Sequence, residues 1–498
     1  MLFNSYIFIL FFLPLTVIGY FGLNAIKQNT LAKIYLIIGS LWFYGYFNPW
    51  YLWIIGGSVL VNYGISKGFS FFHHKPGGKK LLLFLGVAFN LGLIFYFKYY
   101  DFFIETLNIV MKKNMALLHV VLPLGISFFT FQQISFLVDS YRQETEQYHF
   151  VDYALFVTFF PQLVAGPIVS HDEVIPQFQD EKKRHLQISN INRGICLFVV
   201  GLFKKVLIAD TFGLAVNAGW QSLELLTSLE AILVSLFYTF QIYFDFSGYC
   251  DMASGIAAMF NMELPLNFNS PYKAESIIDF WKRWHITLTR FLRKYIYFPL
   301  GGSRKGEARA YFNVFVVFLL SGIWHGAGWT FIIWGILHGA FYCVTKFFDK
   351  YWKKLSAVWK WMLTFGFVNM TWIVFRAETM SDAFILIRKI VKLEDLTFKN
   401  IDIIECFRLK EFMWIENTVS IIGKVTSSVP GFYMWMFLFG AWFVVLNFKN
   451  TQETNSLDCG LEQKGKVAVI AKALAMAVML VWALLSLSGI STFLYFNF

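Results

Sequence analysis

Apolar runs free or nearly free of charge recur along the whole chain, at about 2–23, 34–66 with a break at Asn48-Pro49, 81–97, 114–138, 153–170, 191–217, 231–260, 310–345, 361–375, 427–448 and 473–498. About 20 apolar residues rising ~1.5 Å each cross a bilayer as a helix. The pattern therefore predicts an all-α polytopic membrane protein with roughly ten to twelve embedded segments. Several runs make poor plain spans. The run 34–47 is short, Lys204 and Lys205 interrupt 191–217, and Phe160-Pro161-Gln162-Leu163-Val164-Ala165-Gly166-Pro167 puts two prolines and a glycine inside 153–170. Non-helical backbone at that depth survives only where protein or water covers it.

The polar positions between the runs set an expected orientation. Residues 67–80 carry Lys67, Lys75, Lys79 and Lys80; 182–184 is Lys-Lys-Arg; 273–309 holds nine Lys or Arg against Glu275, Asp279 and Glu307. All three connectors are expected to face the cytoplasm, with Arg304 and Lys353 on that side too. An even number of crossings must then separate 67–80 from 182–184. The runs 81–97, 114–138 and 153–170 would make three, so the proline-broken 153–170 is expected to be re-entrant and the N-terminus to lie outside. Residues 377–425 read as a surface helix and loop, and 449–466 as a polar connector. No internal repeat is visible.

Composition agrees with the pattern: 57% of the 498 residues are hydrophobic, 20% aromatic and 15% charged. The net charge of +11 then points to basic loops against anionic lipid, not to nucleic acid. The cysteines Cys196, Cys250, Cys343, Cys406 and Cys459 are scattered, with no CxxC pair and no histidine at ligand spacing, so neither a disulfide framework nor a metal site is expected. Met1–Leu23 lacks a basic leader and an obvious cleavage site and reads as a first span.

Three stretches carry candidate chemistry. In the first, Ala310–Thr345, thirty-six residues contain no Asp, Glu, Lys or Arg and hold His325 inside Ser321-Gly322-Ile323-Trp324-His325-Gly326-Ala327-Gly328-Trp329. In one straight helix His325 would lie roughly 22 Å from Ala310, past mid-bilayer. An ionisable ring at such depth points to function, although position alone leaves a packing role equally open. His338, thirteen residues on, falls on the opposite side of such a helix and reads as structural. His73, His74, His119, His149, His171 and His185 read as surface or packing residues.

The second stretch, Phe280–Gly302, is too basic to span and too aromatic for a solvated loop. As one helix it gathers Trp281, Trp284, Leu288 and Phe291 on one face and leaves Lys282, Arg283, Arg290 and Arg293 largely elsewhere. It reads either as a lipid-facing interfacial helix or as a cradle for a phosphate-bearing cytosolic donor, with His285 turned inward. In the third, 231–260, helical spacing puts Gln241, Asp245 and Tyr249 on one face and Ser247, Asp251 and Ser254 on another. Aspartates at membrane depth need a partner or water, so a basic tie and a catalytic role both stay open. No GxSxG elbow is present.

These residues together resemble the membrane-bound O-acyltransferases, in particular their bacterial alginate and peptidoglycan O-acetyltransferase branch. The resemblance is carried, in order, by Met1-Leu2-Phe3-Asn4-Ser5, Pro123–Gln132, Phe160–Ile168, Asp245-Phe246-Ser247-Gly248-Tyr249, Trp281-Lys282-Arg283-Trp284-His285, Tyr297–Gly302, Gly322-Ile323-Trp324-His325-Gly326, Phe375-Arg376-Ala377 and Phe493-Leu494-Tyr495-Phe496. It implies one integral-membrane domain over 1–498, with a core at about 115–345 and C-terminal spans at 361–375, 427–448 and 473–498. About 11–12 segments, some re-entrant, would form a ring of tilted helices around a central tunnel. It assigns His325 as the essential histidine and His285 as the second signature histidine. Beside them, the pattern of residues offers Lys282, Arg283, Arg290 and Arg293 for the donor and Trp324, Asp245 and Asp251 in support.

The resemblance also implies a bacterial cytoplasmic-membrane enzyme without bound cofactor or metal, using acetyl-CoA or another acyl thioester to O-acetylate an extracytoplasmic polysaccharide. An extracytoplasmic acetyltransferase partner protein would pass the group on. Acyl transfer to a hydroxyl needs a base near neutral pKa, which suits histidine. Three rivals remain: D-alanyl transfer to teichoic acid by the related branch, a transporter, which would often show repeated halves, and a non-enzymatic scaffold.

Overall fold

The computed structural model describes residues 1–72, 75–145, 148–418, 423, 426, 428–429, 431–451, 466–487 and 493–494. His73, His74, Cys459, most of the 449–466 connector and the Tyr495-Phe496 end of the closing motif lie outside these residues. Among the described residues every regular element is a helix, as expected for an all-α polytopic membrane protein. Five helices are long and apolar enough to span alone: Phe8–Ala25, Pro76–Met111, Ser228–Met259, Glu307–His325 and Trp329–Phe347. Others are shorter or less apolar, among them Asn29–Gly45, Tyr51–Phe71, Ile126–Arg142 and Ala357–Arg376. Contacts gather into two compact units, one of Met1–Gly201, Tyr249–Leu266 and Asn455–Phe498, the other of Leu202–Gly248 and Asn267–Thr454.

In the first unit the opening residues are core. Phe3, Phe8, Phe12, Phe43 and Phe160 are buried as a cluster, with ring centroids 5.2 Å apart for Phe12 and Phe160 and 5.5 Å for Phe43 and Phe160. The 153–170 run is broken as its prolines require: Phe150–Thr158 stops at Phe159, a single turn follows at Phe160–Leu163, and no helix resumes before His171. The freed groups are covered by protein. The Phe160 N–H donates to Ser40 Oγ at 3.2 Å, and Gln162 Nε2 donates to Phe156 O at 2.6 Å.

The 114–138 run is not one membrane helix. Residues 113–123 are irregular, and helix begins only at Ile126, behind Pro123 and the left-handed Gly125. That irregular segment is tied to the helix before it: Asp101 accepts from the Leu118 and His119 N–H groups, and Asn108 pairs with the Met115 backbone. Satisfying its backbone locally removes the pressure to become helical.

In the second unit Lys204 and Lys205 do not end the 191–217 run. The chain stays helical through a widened turn, Lys204–Ala209, that leads from Ile188–Phe203 into Asp210–Gln221. The charge is tolerated because buried Lys205 donates to Asp210 and Asp245, each at 2.7 Å. Residues 377–418 form the expected surface elements, led by Met380–Lys392 behind a Thr379/Asp382 capping box.

The larger correction concerns Ala310–Thr345. It is a hairpin: Glu307–His325 and Trp329–Phe347 run antiparallel, joined by Gly326-Ala327-Gly328, whose two glycines are extended. Their backbones meet at Gly322 and Gly335, where a Cβ on Gly335 would lie 2.5 Å from Phe318 O and one on Gly322 would run into Phe331 O. Any side chain there would push the helices apart. Both outer ends of the hairpin, near Arg304 and Lys353, consequently leave on the same side.

Candidate active site

The hairpin turn positions His325. It is the last residue of Glu307–His325, about 28 Å of helix from the basic connector, at the helix end and not part-way along a longer span. Gly326 follows because a Cβ there would strike the Phe331 ring. The imidazole is buried among aromatic edges and faces, with centroids 4.9 Å from Trp324, 5.2 Å from Trp334 and 5.4 Å from Phe375. His285 lies 6.4 Å away, centroid to centroid. The two histidines singled out in sequence, forty residues apart, thus share one chamber, with Trp324 beside both, 6.1 Å from His285.

His285 reaches the chamber by a break, not along a continuous helix. Phe280–Gly302 begins inside one seven-residue helix, Ile277–Arg283, and runs through a second, Ile286–Leu292, the two separated by Trp284 and by His285 in the left-handed region at φ 45°. The apolar face survives the break: Trp281, Trp284, Leu288 and Phe291 are all buried. What stabilises the kink is Asn267. Its backbone oxygen accepts from Ile286 N–H at 3.0 Å, and its side-chain oxygen accepts from Thr287 N–H at 3.2 Å and the Thr287 hydroxyl at 2.9 Å. One residue thereby takes up two of the orphan donors of the second helix.

The same oxygen lies 3.1 Å from His285 Nδ1. An oxygen that already accepts must be met by N–H, so Nδ1 carries the proton and Nε2 the lone pair. Burial pushes the His285 pKa down to about 3, which keeps the ring neutral near pH 7.

His338 is brought to the same cluster by the return helix. Its ring lies 4.6 Å from Trp334, which also faces His325, so the two histidines are not on opposite sides of one helix. Its proton can be located by elimination. Trp281 Nε1–H donates to Nδ1 at 3.2 Å, and the Thr371 hydroxyl is spent on Val368 O at 3.0 Å, so the 3.0 Å contact between Nε2 and Thr371 Oγ1 has His338 as donor. His338 is neutral and ties three helices together, in keeping with a structural reading.

The remaining candidates separate. Asp245 is held by Lys205. Asp251 is buried and belongs to the first unit. Lys282, Arg290 and Arg293 are exposed, whereas Arg283 is half-buried with both Asp279 carboxylate oxygens 3.0 Å from its Nε. Arg293 also lies over the Phe298 ring at 5.2 Å. Sequence reasoning missed Asn267, Trp334 and Phe375 as parts of the chamber. Asn267 sits in an irregular segment with no periodic signal, and Trp334 looks like any aromatic in an apolar run. Among the described residues no group of three or more His, Cys, Asp or Glu could hold a metal ion.

A membrane-embedded helical protein with buried neutral histidines walled by aromatics, and basic side chains exposed beside one of them, has the parts of an acyl-transfer enzyme working at a bilayer. The comparisons make the class specific. Residues 40–387 match the model of MBOAT, the membrane-bound O-acyltransferase family, and the chain belongs to that family. It is 40% identical over its whole length to a peptidoglycan O-acetyltransferase of Helicobacter pylori, 98% of which is covered. It is 38% identical to a probable alginate O-acetylase of Pseudomonas putida, over 76% of this chain and 78% of that one. Similarity to a Bacillus subtilis teichoic acid D-alanyltransferase is 30% and spans 48% of this chain and 62% of that one. The chain is an acyltransferase.

Proposed function

We propose that this enzyme takes an acetyl group from a cytosolic thioester, acetyl-CoA or a related donor, and supplies it for O-acetylation of an extracytoplasmic glycan at the bacterial cytoplasmic membrane. A peptidoglycan-like acceptor is favoured over alginate because similarity to the peptidoglycan enzyme runs end to end. The observation that carries the reading is the pairing of His325 with His285 at 6.4 Å in a buried aromatic chamber. D-alanyl transfer is the weaker reading, since that likeness stops at about half the chain.

In the proposed step the acceptor oxygen attacks the thioester carbonyl while His325 takes the hydroxyl proton. The C–S bond breaks, and the imidazolium returns the proton to the departing thiolate, leaving ester and free thiol. His325 suits the base role because imidazole is the side chain that can take and return a proton near neutral pH. His285, too weakly basic when buried to hold a proton near pH 7, orients a hydroxyl or thiol through Nε2. The exposed Lys282, Arg290 and Arg293 are suited to donor phosphates, and Arg283 to holding the Ile277–Arg283 helix, which carries Lys282, through Asp279. The acceptor in the chamber is either a glycan hydroxyl or a serine of an extracytoplasmic partner protein that passes the acetyl group on.

The test is acetyl transfer or thioester hydrolysis by sealed membrane vesicles given labelled acetyl-CoA on one face. Label should move only when the basic connectors face the donor. His325→Gln, which keeps a hydrogen bond but cannot take a proton, should lose ~10²–10⁴-fold in the chemical step with the protein still in the membrane. Near-normal turnover by the Gln variant would remove His325 from the base role, and use of a carrier-bound D-alanyl thioester in place of acetyl-CoA would favour the other branch.

A further inference from the structure

The first unit holds a cavity of about 290 Å³ that the reaction above does not use. It forms where three helix ends converge: the C-terminal end of Tyr51–Phe71, the start of Pro76–Ile94 and the C-terminal end of Ile126–Arg142. Its polar lining includes Ser66, Lys67, Ser70, Lys79, Ser140 and Thr145. Aromatic rings, Phe69, Phe136 and Tyr148, close the inner side and are buried. Lys67 Nζ donates to Tyr148 O at 3.2 Å and lies 5.2 Å from the Tyr63 ring centroid, and Lys79 Nζ is 6.0 Å from that of Tyr141. Among the described residues neither ammonium group has a carboxylate within ion-pair distance. The Ser66 hydroxyl donates to Tyr63 O and that of Thr145 to Ser140 Oγ, which leaves the two cations and the Ser70 and Ser140 hydroxyls to make a cavity suited to an anion with several acceptor oxygens, the chemistry of a phosphate ester.

The inner wall is built, not incidental. Tyr148 is fixed by a buried chain in which its hydroxyl meets His171 Nδ1 at 3.3 Å, while His171 Nε2 lies 3.4 Å from Asp139. The Tyr63 hydroxyl donates to Tyr148 O at 3.3 Å. Size and surroundings choose between sources of phosphate. A cavity at the low end of the ~300–1,000 Å³ range for ligand sites holds one headgroup but not a nucleotide thioester. The helices that supply Ser66, Lys67 and Lys79 also expose Leu60, Val61, Leu81, Phe84 and Leu85, an apolar surface on which acyl chains can lie. The connector 67–80 is moreover of the basic kind that meets the anionic cytoplasmic leaflet.

We propose that this cavity binds the phosphate headgroup of an anionic phospholipid, with the lipid chains along the exposed apolar faces of the two flanking helices. The binding is independent of the acyl-transfer reading and holds whether or not that reading does. The test uses full-length protein in detergent, stripped of lipid, then given either dioleoylphosphatidylglycerol or dioleoylphosphatidylcholine, with retained lipid counted by native mass spectrometry. Phosphatidylglycerol should be retained in preference. Lys67→Gln or Lys79→Gln should weaken retention roughly fivefold, and the double variant on the order of thirtyfold, whereas Lys75→Gln, outside the cavity, should match wild type. Millimolar glycerol phosphate or acetyl-CoA should fail to displace the lipid. Equal retention by wild type and double variant would overturn the proposal. So would displacement by acetyl-CoA, which would make the cavity part of a donor path. Thermal stability of each variant in the same detergent separates a lost site from a lost fold: reduced retention supports the proposal only where the melting temperature matches wild type.

Discussion

Each compact unit buries histidine, and the partners differ in kind. In the first unit His171 faces a carboxylate, Asp139, and a phenol, Tyr148. In the second, His285 faces the Asn267 amide, and His338 an indole and a hydroxyl. An amide oxygen or an indole N–H fixes which nitrogen carries the proton without supplying a charge, so the ring is held neutral with a defined lone pair. A carboxylate is an acid partner in a closed network. Buried histidine alone therefore says little about chemistry, and the partner's charge says more. Two acids of the second unit, Asp245 and Asp210, are engaged with Lys205.

The comparison is sharpened most at Asn267. Asn267→Ala removes the side-chain oxygen that fixes the His285 tautomer and accepts from the Thr287 N–H and hydroxyl, leaving only the backbone cap of Ile286, at ~1–3 kcal/mol for each buried donor left unmet. Turnover should fall roughly ten- to a hundredfold, and Asn267→Asp should recover part of it by restoring the oxygen. Loss of protein with unchanged specific activity would make Asn267 a purely structural residue. A smaller effect is expected where the second unit meets its donor. Replacing Lys282 and Arg290 together by Gln should raise KM for acetyl-CoA several-fold before kcat changes, while Arg283→Gln, which loses the Asp279 pair, should lower stability instead. An unchanged KM would return the segment to a lipid-facing role.

The smallest effect on turnover is expected in the first unit. Asp139→Asn or His171→Gln should cost ~1–3 kcal/mol of stability by opening a buried network, read as faster inactivation in detergent, with kcat of the surviving enzyme within about twofold. A large fall in kcat with unaltered inactivation would abolish the distinction between the two regions.

Much of this was legible in the chain. Its apolar runs announced the helices, and the prolines of Phe160–Pro167 announced a broken segment. His325 and His285 stood out as ionisable rings in strongly apolar or aromatic company. The hairpin was hidden because a charge-free run of thirty-six residues contains no sign of where it reverses except Gly326-Ala327-Gly328, and glycines also occur inside membrane helices. The break at His285 was hidden because helical periodicity on either side of it is intact. The irregular 113–123 segment was hidden because hydropathy reports burial and not backbone hydrogen bonding.

By itself, then, the sequence determined the solvent this protein lives in, the approximate place of most of its apolar segments, and which side chains were candidates for chemistry. Those follow from transfer free energies, which add along a chain. Tertiary structure alone decided that His325 ends a helix, that His285 turns into the same chamber, that Asn267 sets its proton and that Lys205 claims Asp245. Each is a matter of ångströms and directions between residues far apart in sequence, and no additive property of the chain carries that information.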